Sequence, residues 1–194
     1  MKIQSKYGIE VPFGEKEILL HSCCAPCSSA IVECMLTYGV RPVLFFYNPN
    51  IFPNEEYEKR KAECIRHAQI LRLRFVDADY DHTKWLEAVK GLEGEPERGA
   101  RCLKCFSLRL TVTALFASEN GFKVIATTLA SSRWKNLNQI NEAGKSAAAS
   151  LQNIVFWAQN WRKGGLCERR NELVRLYGFY TQSYCGCEFS NPQK

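Results

Sequence analysis

The sequence predicts an α/β protein: a single Rossmann-like domain with a mostly parallel sheet of about five strands, helices on both faces, and a cysteine-lined site at the carboxyl edge of the sheet. Two observations carry this expectation. Short apolar runs alternate with longer helical patterns along the chain, which is how a parallel sheet with crossover helices reads. The first of these runs, Ile18-Leu19-Leu20, leads at once into His21-Ser22-Cys23-Cys24-Ala25-Pro26-Cys27, and ligands of open α/β sheets bind beyond the carboxyl ends of the strands. Two further cysteine pairs, Cys102-x-x-Cys105 and Cys185-Gly186-Cys187, lie far away in the chain. The expectation is that the fold brings the three groups together.

Taken in order, residues 1–14 read as an irregular arm and residues 16–22 as the first strand. Pro26 suits the first turn of a helix over 26–38, where its missing N–H costs nothing, and Ile31, Cys34 and Met35 share one face of it. Residues 40–47 are a second strand, apolar on both faces at its end as a central parallel strand is. The turn-rich Asn48-Pro49-Asn50-Ile51-Phe52-Pro53 excludes helix. Asn54 then caps a charged helix over 55–71, with Tyr57, Cys64, Ala68 and Leu71 as its apolar stripe and His67 on its polar side. Residues 73–76 form a third strand, and an acidic stretch from Asp77 to Asp81 leads into a helix around Trp85, Leu86 and Val89. Residues 91–101 are loop. A helix over 102–119 stops at Gly121, residues 123–128 form the fourth strand, 129–133 a loop, and 135–150 a helix. Ile154-Val155-Phe156 is a short fifth strand. The helix over 167–178 has Leu173, Leu176 and Tyr177 as apolar residues, and 180–194 is a loop-like tail carrying the last cysteine pair. There is no repeat, low-complexity segment or linker, so residues 1–194 are expected to form one domain, with 180–194 as a redox tail.

The totals restrict the function classes. With 194 residues, 46% hydrophobic and 24% charged, the chain is long enough for one sizeable core. No apolar run approaches the ~20 residues of a membrane span, and residues 1–14 lack the apolar core of a signal peptide. The expected location is therefore cytoplasmic, with no membrane partner. Ten cysteines in that compartment point to metal or redox chemistry rather than structural disulfides. Only three histidines are present, which argues against a hydrolytic zinc site.

Not all the cysteines read alike. Cys34 and Cys64 fall on apolar faces at helical spacing and behave as small buried hydrophobes; Cys167 opens a helix with no partner nearby. Cys102 and Cys105 also open a helix, where the dipole and free N–H groups favour thiolates, and Arg98, Arg101 and Lys104 add positive charge. A four-thiolate site is completed either by Cys24 and Cys27, in a zinc-ribbon-like set, or by Cys23 and Cys24, around an iron–sulfur cluster. Vicinal cysteines diverge, which suits a bulky cube or two adjacent metals. Cys27 on its own, inside the helix, reads as core-facing. Cys185-Gly186-Cys187 sits where a glycine lets two thiols approach. A disulfide in so small a ring is strained and therefore labile and redox-active; a metal clip is the alternative. Asp79 and Asp81 could reach the same edge, or cap the following helix.

From Arg133 to Arg175 the basic residues Arg133, Lys135, Lys145, Arg162, Lys163, Arg169, Arg170 and Arg175 face only Glu142, Glu168 and Glu172. Trp134, Trp157, Trp161, Tyr180 and Tyr184 interleave. Cations bind phosphates and aromatics stack unpaired bases, so this half is the candidate for a nucleic-acid partner.

Four strings then match one family: His21-Ser22-Cys23-Cys24-Ala25-Pro26-Cys27-Ser28, Phe46-Tyr47-Asn48-Pro49-Asn50-Ile51, Arg101-Cys102-x-x-Cys105-Phe106 and Tyr184-Cys185-Gly186-Cys187. In the same order and over nearly the whole chain, they resemble the QueH-type epoxyqueuosine reductases. The resemblance implies cobalamin-independent reduction of epoxyqueuosine to queuosine at the wobble position of tRNA. It implies a 4Fe-4S cluster with Cys23, Cys24, Cys102 and Cys105 at the ligand positions, and Cys185 and Cys187 as the redox-active pair. It also implies an additional adjacent iron, for which Asp81 is the oxygen-ligand candidate, and an external electron donor. Two departures stand out: Phe52 where the pattern has histidine, and Ser131-Ser132-Arg133-Trp134-Lys135 in place of a Ser-Pro-Lys type segment. Removing an epoxide oxygen to leave an alkene takes two electrons and two protons and releases water, which a dithiol matches in electron count. A thiol–disulfide oxidoreductase built on Cys24-Ala25-Pro26-Cys27, and a zinc-stabilised nucleic-acid-binding module, are the alternatives.

Overall fold

A computed structural model describes residues 8–190. Its sheet is built from β1 (Glu17–His21), β2 (Arg41–Phe46), β3 (Phe75–Asp77), β4 (Val124–Thr127) and β5 (Val155–Phe156), all parallel, in the order β3-β2-β1-β4-β5. The helices are α1 (Ala25–Thr37), α2 (Asn54–Ile70), α3 (His82–Val89), α4 (Ala100–Glu119), α5 (Leu137–Ala149) and α6 (Leu166–Tyr177). α1 packs with α2 and α6, while α4 packs with α3 and α5, so two helical groups flank the sheet. The strand order reverses between β1 and β4. That reversal opens a crevice at their carboxyl ends.

The apolar runs have the burial that parallel strands require. Ile18, Leu19 and Leu20 of β1 and Val124, Ile125 and Ala126 of β4 are wholly buried, because helices cover both faces. Gly144 in α5 is needed for the same packing: a Cβ there would lie 2.5 Å from the Phe156 ring of β5.

Several local expectations shift for identifiable reasons. β3 begins at Phe75, not Leu73, because the preceding helix closes through a Schellman turn. Arg72, at φ 51°, donates its N–H to Gln69 O (3.1 Å), and Leu73 donates to Ala68 O (2.9 Å). Pro53, not Asn54, precedes the first turn of α2, its carbonyl accepting from Glu56 N and Tyr57 N. Of the apolar residues of α6, Leu173 is buried and Leu176 exposed. His67, expected on a polar face, is buried. The chain after α6 turns back over α2, so Tyr177 and Phe179 meet the His67 ring edge-on at 5.5 and 5.1 Å.

This burial makes His67 a source of acid sensitivity. Desolvation and then the Arg66 charge push its pKa down to about 4, against the opposing pull of Glu33. The unfolded chain takes up this proton near pH ~6.5 and the folded chain only near 4. Between those values the unfolded state binds more protons, so stability falls as pH falls, by about 3 kcal/mol in all. Melting temperatures measured from pH 7 to 4.5 should drop less steeply for His67→Leu than for the wild type; parallel curves would show that His67 is not the group responsible.

Candidate metal and redox centre

The carboxyl ends of three strands are tied by one imidazole. His21, opposite Phe45 and Thr127 in the sheet register, places Nε2 3.2 Å from Tyr47 O and Nδ1 2.8 Å from Thr127 Oγ1. A carbonyl only accepts, so Nε2 carries the proton and the Thr127 hydroxyl donates to Nδ1. Burial and the Arg109 charge hold the ring neutral, its pKa lowered to about 3. With both nitrogens engaged, His21 orders the crevice rather than ligating in it.

The next residues enter that crevice. Cys23 donates its N–H to Thr128 Oγ1 (3.1 Å), and the Thr128 hydroxyl donates to Cys23 Sγ (3.3 Å). Cys24 is the N-cap residue of α1, and its Sγ accepts from Gln182 Nε2 at 3.0 Å. The sulfurs of Cys23 and Cys24 are 3.9 Å apart, and those of Cys23, Cys24 and Cys27 all lie within 4.8 Å of one another. Sulfur hydrogen bonds from Cys24 and Cys27 stabilise a thiolate on Cys23, whose pKa lies well below the usual thiol range. Cys27, read from the sequence as core-facing, packs against the core and also faces this pair. One helical turn brings residue i+3 onto the same side, and Cys27 lies beside the vicinal pair.

The second cysteine pair enters from the start of α4. Cys102 Sγ accepts the N–H of Arg98 at 3.3 Å, and Arg109 Nη1 lies 4.0 Å from Cys105 Sγ. Arg109 also donates to Asn48 Oδ1, while Asn48 Nδ2 donates to Ser22 O at 2.9 Å. This chain links α4, the loop after β2 and the loop after β1. Arg101, expected to add charge near the thiols, does line the cysteine cavity, but it is buried and also holds the surrounding loops. Its guanidinium donates to Glu93 O at 2.6 Å and to Ser190 Oγ at 3.2 Å.

The tail folds back over this assembly. Arg60, paired with Glu56 at 2.6 Å, donates to Cys185 O (3.2 Å) and Tyr184 O (3.3 Å). Gly186 adopts φ +102° and accepts from Phe52 N at 2.9 Å. A Cβ there would meet Ile51 Cγ1 at 2.8 Å, so the glycine is demanded both by conformation and by space. Cys187 is buried with Cys105 and Trp85. The Cys185 thiol, hydrogen-bonded by Cys187, is lowered to about 6 against its burial, with Lys135 contributing in the same direction. Phe52, the departure from the family pattern, stacks on His82 with ring centroids 5.3 Å apart.

These groups enclose a cavity of about 540 Å³, lined by Cys23, Cys27, Cys102, Cys105, Cys185 and Cys187. These six thiols, together with Cys24, which is not a wall residue but whose sulfur lies 3.9 Å from that of Cys23, form a soft donor set that fits iron–sulfur or zinc binding and not a hard cation. Lys135 lines the cavity as well. Burial opposes its charge, but the thiolates of Cys23 and Cys185 outweigh it and hold the ammonium protonated. The sequence placed Lys135 only in a basic surface; the structure places it among the thiols. Asp81 is elsewhere: its carboxylate caps α3, accepting from Lys84 N at 2.9 Å, and it is not a wall residue of the cavity. Cys34 and Cys64 are buried in the core, and Cys167 Sγ points to Arg162 O at 3.7 Å. Arg169, expected to face a polyanion, is held by Glu33 at 2.8 Å and Glu172 at 2.7 Å; Arg170 lines the cavity.

A family model described as Epoxyqueuosine reductase QueH matches residues 18–193. The protein of that name from Histophilus somni is 48% identical over 182 residues, covering 94% of this chain and 75% of the relative. Its counterpart in Acinetobacter baylyi is 48% identical, covering 94% and 84%, and that in Thermotoga maritima 37% identical, covering 89% of each. The crystal structure of a predicted subunit of tRNA methyltransferase from Methanocaldococcus jannaschii superposes with a TM-score of 0.53 at 13% identity, over 86% of this chain and 93% of that one; the likeness is of fold alone. With its cysteine groups gathered at one sheet edge and a family match over most of its length, this chain belongs to the QueH epoxyqueuosine reductases, a family of oxidoreductases.

Proposed function

We propose that this protein reduces epoxyqueuosine to queuosine in tRNA, the last step of queuosine biosynthesis, without cobalamin. The observation that carries the proposal is the convergence of six cysteines on one cavity in a member of this reductase family. Cys23, Cys24, Cys102 and Cys105 would hold a 4Fe-4S cluster, and an additional iron ion would sit beside it. For that ion Asp81 is the oxygen candidate, at the cost of its cap on α3. Cys27, with its sulfur beside those of Cys23 and Cys24, is the thiol candidate. When bound, these metals supply one-electron transfer and Lewis-acid polarisation of the epoxide oxygen.

The chain's own groups supply the rest. Epoxyqueuosine gains two electrons and two protons, both C–O bonds to the oxygen break, and queuosine and water leave. Oxidation of the Cys185 and Cys187 dithiol to a disulfide releases two electrons and two protons, so the stoichiometry closes. An external electron donor then returns the disulfide to the dithiol. Cys185, with its pKa lowered to about 6, is the more readily ionised thiol at neutral pH. Lys135 balances thiolate charge within the cavity, and residues 180–194 act as the redox tail of a single domain. The setting is cytoplasmic; among the described residues no helix is long and apolar enough to cross a membrane.

The direct test is anaerobic, iron-loaded protein with epoxyqueuosine-containing tRNA and a chemical reductant, with queuosine read by nucleoside mass spectrometry. No conversion by fully loaded protein would refute the proposal. Cys102→Ser and Cys105→Ser should each lose iron and sulfide, since thiolate ligation is coupled to folding. Cys34→Ala and Cys64→Ala should retain both, at a packing cost of ~1 kcal/mol or somewhat more. Iron counts on Cys27→Ser and Asp81→Asn separate the two candidates for the additional ion: the true ligand's variant should lose about one iron per chain and keep its sulfide.

A different signature is expected for the tail. Cys185→Ser and Cys187→Ser should keep the iron–sulfur spectrum yet lose multiple turnover, because neither can form the disulfide. Alkylation mapping of the wild type after a single turnover should find both thiols oxidised together. A fall in iron content before any substrate is added would show instead that the pair holds metal.

A further inference from the structure

Trp134 stands apart from the other tryptophans. It is 78% exposed, whereas Trp85, Trp157 and Trp161 are buried at 0%, 6% and 1%. It also lines the cysteine cavity, so its indole is at the entrance.

The backbone beneath it is fixed. Arg98 donates through Nε to Trp134 O (3.0 Å) and through Nη2 to Arg133 O (3.2 Å). Trp134 N donates to Ser132 Oγ at 3.3 Å. On the other side Arg162 donates to Ala130 O (3.2 Å) and Lys135 O (2.8 Å). Two guanidinium groups thus grip four carbonyls of this loop, and the loop presents its largest apolar side chain to solvent. Arg98 is itself anchored at the cluster positions: its N–H is on Cys102 Sγ at 3.3 Å, and its carbonyl accepts from Gln139 Nε2 at 2.9 Å. The cavity behind the indole is lined by Arg60, Arg98, Arg101, Arg109, Lys135 and Arg170 against one acid, Glu97. An exposed aromatic plane on a rigid loop at a cationic mouth is the construction that binds an unpaired nucleotide strand, with the charge on phosphates and the ring on a base.

We infer that Trp134 is the stacking platform for a base of the tRNA anticodon loop next to the nucleotide that enters the cavity. It is a specificity-determining contact for the proposed reaction and rests on the reading of tRNA as substrate. Stacking orders the neighbouring base outside the cavity while the target base turns inward, so the cost of unstacking the target is partly offset at the entrance.

The test uses anaerobic, iron-loaded protein and a fluorescein-labelled anticodon stem-loop RNA with guanine at the wobble position, with anisotropy as the readout. Trp134→Ala should weaken binding on the order of tenfold or more, with iron content unchanged. Trp134→Phe should restore most of the affinity. Because stacking carries no charge, the slope of log K against log salt should be the same in all three proteins. Replacing single loop bases by abasic sites should identify one flanking position at which wild type and Trp134→Ala bind equally. Absence of wild-type binding, binding by Trp134→Ala within twofold of wild type, or no abasic position that removes the difference would overturn the inference. Conversion of epoxyqueuosine tRNA is assayed separately. Turnover with an unaffected Trp134→Ala variant would sink the stacking role alone, whereas coupled RNA binding without turnover would sink the reductase reading alone.

Discussion

The neutral imidazole of His21 is the constraint on which the site depends. Burial disfavours a charged ring there, and with the Arg109 guanidinium it outweighs the opposing pull of Cys23. Held neutral, the ring spends one nitrogen on the end of β2 and the other on the end of β4. It thereby fixes the loops after β1, β2 and β4 relative to one another at the point where strand order reverses. Each hydrogen bond contributes only about 1 kcal/mol net, but leaving either partner unmet in this dry interior would cost more.

Around that point, buried arginines act as the frame. Arg109 joins α4 to Asn48 and through it to Ser22. Arg60 fastens the tail to α2, and Arg101 fastens the 92–95 loop to Ser190. Guanidinium groups suit this work because their donors form a rigid fork and stay charged on burial. Carbonyl oxygens take most of those donors, so the arginines close loops without requiring an acid for every charge. The same choice leaves the cavity electropositive; sulfur hydrogen bonds stabilise thiolate on Cys23 and Cys185, with Lys135 assisting at both and Arg109 at Cys23.

The distribution of mobility and rigidity follows. Gly186 permits the turn between Cys185 and Cys187, while Phe52 and Arg60 pin its backbone. The loop from Ala130 to Lys135 has no regular structure beyond the short turn Thr128–Ser131, yet Arg98 and Arg162 hold its carbonyls. Both cysteine-bearing tail and aromatic entrance are thus irregular in shape but defined in position, as binding elements on a rigid scaffold are.

The sequence by itself determined the alternation of strands and helices, the parallel sheet, and the grouping of cysteines at 23–24, 102–105 and 185–187. Those features are local: an apolar run announces a doubly covered strand, and paired thiols within one turn announce a shared target. Tertiary structure alone decided the assignments that depend on partners distant in the chain. His67 is buried because the residues after α6 return over α2, and Arg101 is consumed by carbonyls from another loop. Arg169 is neutralised by Glu33 across 136 positions of sequence, while Lys135 faces thiols. Charge, exposure and reach are properties of packing, and a periodic pattern records which face is buried without recording what is packed against it.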